Sequence, residues 1–148
     1  MLYEKNFMGL SNTAVKSEVL KMNLKPLNPY LKAYDWFLWS KILLKKKSTI
    51  FIDKPLTKYR IHGNNIAHLN KNFSELEVIN GIKVKKNHYN EFRNVNNKYK
   101  DLCNSFDYIH SKIKDINWMS NYIKLVNNTK LAFPHWWENI IIPSKLRK

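Results

Sequence analysis

The hydrophobic positions after residue 70 follow a helical spacing and predict that the second half of the chain is helical. From Phe92 to Ile116 apolar residues recur alternately three and four positions apart, the narrow stripe that one helix presents to another. Ser74 followed by Glu77 matches a capping box, which predicts a helix beginning there. Gly81 and a change of phase before Phe92 predict a bend or break between residues 81 and 90.

The first part of the chain mixes helical and strand patterns. The sequence predicts a short helix over 14–22 and a second over 34–46, with Asp35 in the first turn of the latter. The β-branched and aromatic run 48–52 predicts a strand, and the alternation over 56–61 predicts another.

The predicted fold class is therefore α/β, mostly α. Residues 1–68 are expected to form one portion, with helices and two short strands, and residues 69–148 a long helical extension. The extension ends in an aromatic and basic tail that includes Trp136 and Trp137. These tryptophans are expected either to lie at a membrane interface or to cover the core of the helical part.

The composition of the chain limits the classes of partner that it is expected to bind. A net charge of +15, from 26 basic and 11 acidic residues, favours anionic partners such as nucleic acid, anionic lipid or diphosphates. The arginines are Arg60, Arg93 and Arg147 alone, which argues against nucleic acid because arginine is the preferred reader of bases and phosphates. The single Cys103 excludes an internal disulfide.

The hydropathy of the chain is used to predict where in the cell the protein lies. No apolar run reaches the about 18 residues that a membrane span needs, and the first residues lack the features of a signal peptide. The sequence predicts a cytoplasmic protein, with peripheral contact at the inner face of the membrane as a further expectation.

Two groups of residues carry candidate chemistry. Asp35, beside the aromatic Trp36, is suited to accept a proton from a hydroxyl group, although an acid at a helix start is also a plain stabilising feature. Arg60 and His62 are two apart, so on a strand they share a face and are suited to hold a diphosphate or its metal ion. The alternative is that Arg60 is a surface residue and His62 caps a turn.

The order of these motifs is informative. Gly9 to Asn12, then Asp35-Trp36, then Pro55-Leu56, then Tyr59-Arg60-Ile61-His62-Gly63-Asn64-Asn65 resembles the second half of a family 2 glycosyltransferase with the GT-A fold, over residues 6–68. The resemblance implies inverting transfer of a sugar, from a nucleotide-sugar donor to a glycan or lipid-linked acceptor, in polysaccharide or cell-envelope biosynthesis.

The same resemblance implies roles for individual residues. Asp35 would be the general base and Trp36 would lie by the acceptor or sugar. Arg60 and His62 would lie near the donor diphosphate, with His62 also near a divalent cation, Mn or Mg.

One departure from the family pattern is large. The family holds its metal with an Asp-x-Asp segment in a nucleotide-binding first half, and no two aspartates of this chain are two positions apart. We therefore expect a truncated or split-gene fragment, inactive alone, that a partner chain with the missing half would complete as a hexosyltransferase. The alternatives are a non-enzymatic basic helical module that binds nucleic acid or an anionic membrane surface, and a decayed reading frame.

Overall fold

The computed structural model describes residues 3–6, 8–23, 28–45, 47–54, 56, 58, 72–129 and 137–146. The chain divides into two compact units, Met1–Asn65 and Ile66–Lys148. The described elements are α1 (Ser17–Lys21) and α2 (Tyr34–Leu44) in the first unit, and α3 (Glu75–Phe92), α4 (Asn97–Ser111) and α5 (Ile116–Asn128) in the second, followed by the 3-10 turns Trp137–Asn139 and Ser144–Leu146.

The first unit is built around α2. Its buried residues include Trp36, Leu38, Trp39 and Ile42, so the helix is apolar around much of its circumference. The buried side chains hold α2 in place because large apolar groups contribute about 1.5–3 kcal/mol each when removed from water. Helix α1, by contrast, buries none of its residues.

The predicted α/β fold class is wrong. The residues that are described contain helices and turns but no strand. The predicted strand 48–52 has no regular structure, and its residues Ile50, Phe51 and Ile52 are 91%, 83% and 59% exposed. Of the second predicted strand, 56–61, only residues 56 and 58 are described, and neither lies in a strand. A strand-like sequence needs a neighbouring strand and a surface to cover, and no described segment supplies either.

The predicted capping box at the start of α3 is confirmed. The Ser74 hydroxyl accepts the Glu77 N–H at 3.3 Å, and the Glu77 carboxylate accepts the Ser74 N–H at 2.8 Å. Helix α3 then continues through Gly81 to Phe92, so the break predicted between residues 81 and 90 is not there.

The predicted long helix from Phe92 to Ile116 is divided instead. Asn96 caps α4 by accepting the Tyr99 N–H at 3.0 Å, and Asp115 caps α5 by accepting the Trp118 N–H at 3.0 Å. Short polar side chains compete for backbone N–H groups and so begin new helices, even within an apolar stripe of helical spacing.

The core of the second unit is aromatic. The rings of His88, Phe92 and Tyr99 lie 5.0 to 6.3 Å apart, and Tyr89 packs 5.2 Å from Phe106. Gly81 lets Ile140 approach α3, since a Cβ atom at position 81 would lie 2.5 Å from Ile140 Cγ1.

Trp137 is only 4% exposed and forms part of this core. It therefore matches the expectation that this tryptophan covers the helical part, whereas Trp136 lies outside the described residues. Within the described residues, no helix combines the length and apolar character needed to cross a membrane.

Candidate carboxylate site at the start of helix α2

Asp35 occupies the first turn of α2, where the helix leaves backbone N–H groups without intrahelical acceptors. Its carboxylate oxygen Oδ1 accepts the N–H of Trp36 at 2.8 Å. Ala33, at the N-cap position, offers no side-chain acceptor. Asp35 therefore supplies part of the capping that Ala33 lacks, so one function of this carboxylate is to stabilise the helix start.

Burial gives the same carboxylate a second property. Asp35 is half-buried, and removal from water raises the pKa of its carboxyl group above the ordinary value. Hydrogen bonds from the backbone N–H groups of Trp36 and Asp35, and from the Asn6 side chain, oppose this rise in pKa but do not cancel it. A carboxylate with a raised pKa holds a proton more readily, as a general base requires.

Asn6 was not among the residues singled out from the sequence. Its side-chain oxygen accepts the Met8 N–H at 3.1 Å, and its amide donates to the Met8 carbonyl at 3.1 Å. Asparagine favours such local turns, and this preference is the only signal in the sequence that marks Asn6. The turn fixes the amide that hydrogen-bonds to Asp35.

Trp36, the predicted acceptor-side residue, has no exposed surface in this chain. Its indole is part of the core beneath α2, and contact with a sugar would require the ring to move. Its predicted role in sugar binding stays a prediction.

Arg60 and His62, the predicted diphosphate and metal residues, lie outside the described residues. The structure therefore neither brings them to Asp35 nor separates them from it. Among the residues that are described, no group of three or more His, Cys, Asp or Glu side chains is arranged to hold a metal ion.

A second polar cluster joins α3 to α4. The Cys103 thiol donates to Asn90 Oδ1 at 2.9 Å, and Lys86 forms an ion pair with Asp107 at 3.1 Å. Burial, followed by the negative charge of Asp107, raises the pKa of the Cys103 thiol. Since the thiolate is the reactive form, this cluster is a structural contact between helices and not a nucleophilic site.

Two buried polar residues lie on α3. Lys85 and His88 are 2% and 1% exposed, and the Lys85 ammonium lies 5.7 Å from the centre of the Phe106 ring and 5.9 Å from that of Trp137. Burial, helped by the charge of Lys85, lowers the pKa of His88 well below its usual value. His88 is therefore a neutral core residue near neutral pH. Nothing in the sequence marks His88 as buried, because a histidine on a helix can also lie at the surface.

Comparison of the chain with models of protein families, with curated proteins and with solved structures finds no match in any of the three. The resemblance to family 2 glycosyltransferases therefore rests on the order of its sequence motifs alone.

Proposed function

We propose that this chain carries the acceptor side of an inverting glycosyltransferase, with Asp35 as the general base. The observation that supports this most is the half-buried carboxylate at the first turn of α2, whose pKa is raised by burial. It occupies the position in the motif order that the base has in family 2 enzymes. An acid at the surface that only stabilised a helix would stay solvated, so burial would not raise the pKa of its carboxyl group.

The proposed step is a direct displacement. Asp35 accepts the proton of an acceptor hydroxyl while that oxygen attacks the anomeric carbon of the donor sugar. The bond from the anomeric carbon to the diphosphate breaks, the nucleoside diphosphate leaves with the electron pair, and the configuration at the anomeric carbon inverts. Asp35 then releases its proton to solvent.

Donor binding is proposed to depend on residues outside this sequence. Arg60 and His62 are proposed to contact the diphosphate, but the sequence contains no Asp-x-Asp pair for its metal ion. His62, the residue predicted to lie near a divalent cation, lies outside the described residues, among which no group of three or more His, Cys, Asp or Glu side chains could hold a metal ion. The complete enzyme would combine this chain with a nucleotide-binding half.

The test separates acceptor binding from donor binding in the isolated chain. Backbone NMR signals are followed during titration with a panel of hexose oligosaccharides and, separately, with nucleoside diphosphate sugars and Mn²⁺. We expect an oligosaccharide to shift the amide signals of Asp35 and Trp36, and the nucleotide sugars to bind weakly or not at all.

Three variants sharpen this test. Asp35→Asn keeps an oxygen that accepts the Trp36 N–H but cannot take up a proton, whereas Asp35→Ala loses both properties. Asp53→Asn is the matched control, because Asp53 is an exposed aspartate in the same unit. Below the raised pKa of Asp35 we expect oligosaccharide binding by the wild type to change, and the Asp35→Asn variant to show no such change.

Two results would count against the proposal. If no oligosaccharide shifts the signals at the start of α2, the acceptor-side assignment fails. If the chain alone binds a nucleotide sugar tightly, and Asp35→Asn binds it equally well, donor binding does not depend on a missing half.

A further inference from the structure

The segment that follows α2 exposes an unusual run of apolar side chains. Ile50, Phe51 and Ile52 are consecutive, and Leu56 follows; they are 91%, 83%, 59% and 70% exposed. Residues 47–54 have no helix or strand, and the Lys54 N–H is donated to the Ile52 carbonyl at 2.9 Å, which bends the chain just after the run. We call the described residues between positions 45 and 58 the apolar loop. Scattered exposed apolar residues are ordinary, but a contiguous group marks a contact surface.

Positive charge flanks this run on both sides. Lys45 and Lys47 precede it, Lys54 and Lys58 follow it, and all four are exposed. Asp53 is the only acidic residue between positions 45 and 58. Apolar residues flanked by lysines match the two regions of an anionic membrane surface. The apolar side chains reach the acyl boundary, and the ammonium groups contact the lipid phosphates.

The alternative occupant is the edge strand of a protein sheet, and two features disfavour it. Lysines beside a strand are a common means of preventing edge-to-edge pairing, and Pro55 has no N–H to donate to a neighbouring strand. All three consecutive residues Ile50, Phe51 and Ile52 are more than half exposed. A flat protein face would cover only one side of this run, whereas the acyl boundary of a bilayer surrounds it.

We propose that the apolar loop is a peripheral membrane-binding element, which inserts Ile50, Phe51 and Ile52 into an anionic lipid surface while its lysines contact the headgroups. This proposal uses neither Asp35 nor Trp136 and Trp137. It does not depend on transferase activity. Membrane attachment through this loop would hold the chain at the surface where lipid-linked molecules are found.

The test is sedimentation with lipid vesicles at 0.1 M salt. Vesicles of phosphatidylcholine with one quarter phosphatidylglycerol are compared with vesicles of phosphatidylcholine alone. We expect the wild type to bind the anionic vesicles, and binding to weaken at 0.5 M salt because the ammonium–phosphate attraction is then screened. Phe51→Ser is expected to weaken binding at least about tenfold, since one large apolar side chain no longer leaves water.

Charge is tested by the pair Lys47→Gln and Lys54→Gln, which together are expected to weaken binding to anionic vesicles about twentyfold. Matched controls lie in the same unit. Leu10→Ser removes a side chain that is 58% exposed outside the loop, and the pair Lys16→Gln and Lys21→Gln removes two exposed lysines near α1. Both controls are expected to stay within about twofold of the wild type, because neither changes a residue of the apolar loop.

Every other outcome overturns the proposal. If the wild type ignores anionic vesicles, or if Phe51→Ser binds them as well as the wild type, the loop is not the anchor. Light scattering without lipid addresses the protein alternative: a wild-type dimer that Phe51→Ser converts to monomers would assign the loop to self-association. Equal far-UV circular dichroism of all variants shows that each is folded.

Discussion

The buried imidazole of His88 predicts that the second unit loses stability in mild acid. His88 is 1% exposed, next to Phe92 and Tyr99, and its pKa is lowered first by burial and then by the charge of Lys85. In the unfolded chain the imidazole has the ordinary pKa of about 6.5. Below that pH the unfolded state takes up a proton that the folded state refuses, so the free energy of unfolding falls as pH falls.

The magnitude follows from this difference in pKa. Each pH unit between the unfolded and the folded pKa removes about 1.4 kcal/mol from the free energy of unfolding. Between pH 8 and pH 5.5 the His88 contribution is therefore about 1.4 kcal/mol, of which about 1 kcal/mol is lost below pH 6.5. Above pH 7.5 both states hold a neutral imidazole and the contribution is flat.

The assay is urea unfolding followed by far-UV circular dichroism at several pH values in this window. His88→Leu has a similar volume and cannot titrate, so the difference between wild type and variant isolates the imidazole. His110 needs its own control, His110→Asn, because burial and the charges of Lys86 and Lys83 also lower its pKa and add to the acid loss. The window stops at pH 5.5 to stay above the ordinary titration range of carboxyl groups.

The reasoning fails if wild type and His88→Leu lose the same free energy between pH 8 and pH 5.5. It also fails if the wild type becomes more stable in acid. Either result would mean that the imidazole is protonated in the folded state.

Three further predictions concern packing, capping and thiol reactivity. Gly81→Ala should lower the free energy of unfolding by about 1–3 kcal/mol, measured in urea, because the new methyl group would meet Ile140 Cγ1; unchanged stability would show that Ile140 moves aside at no cost. Asn96→Ala should lower the free energy of unfolding by about 1 kcal/mol because the Tyr99 N–H loses its acceptor, while Asn96→Asp should lower it much less. Equal losses in the two variants would rule out capping as the cause. Cys103 should react with iodoacetamide at pH 8 far more slowly than a free thiol, because its thiol is buried and has a raised pKa. Urea should abolish this protection, and rapid labelling of the folded chain would contradict the burial.

Local sequence signals were sufficient for several features. The capping box at Ser74 and Glu77 marked the start of α3, and the pattern around Asp35 placed this acid in the first turn of α2. Such signals involve residues within about one helical turn, so they act wherever the chain folds. The composition fixed the net charge of +15 in the same direct way.

The helix boundaries in the second unit could not be predicted from the spacing of apolar residues. The apolar stripe from Phe92 to Ile116 predicts one long helix, yet Phe92 ends α3, only Asn97–Ser111 forms α4, and Ile116 begins α5. Asn96 and Asp115 cap α4 and α5, and the spacing of apolar residues alone does not show where such caps divide a stripe. Because α3 and α4 are separate helices, Tyr99 and Phe106 of α4 pack against aromatic rings of α3.

Tertiary structure alone decided the environment of the chemical groups and of the predicted strand. The raised pKa of Asp35 and the lowered pKa of His88 come first from burial, which the spacing of residues in the sequence does not report. The run Ser48 to Ile52 has the composition of a strand, but the described chain offers it no partner, so it lies exposed. A helix closes its hydrogen bonds within its own residues, whereas a strand must find them elsewhere, and for this reason the sequence determined the helices more fully than the strands.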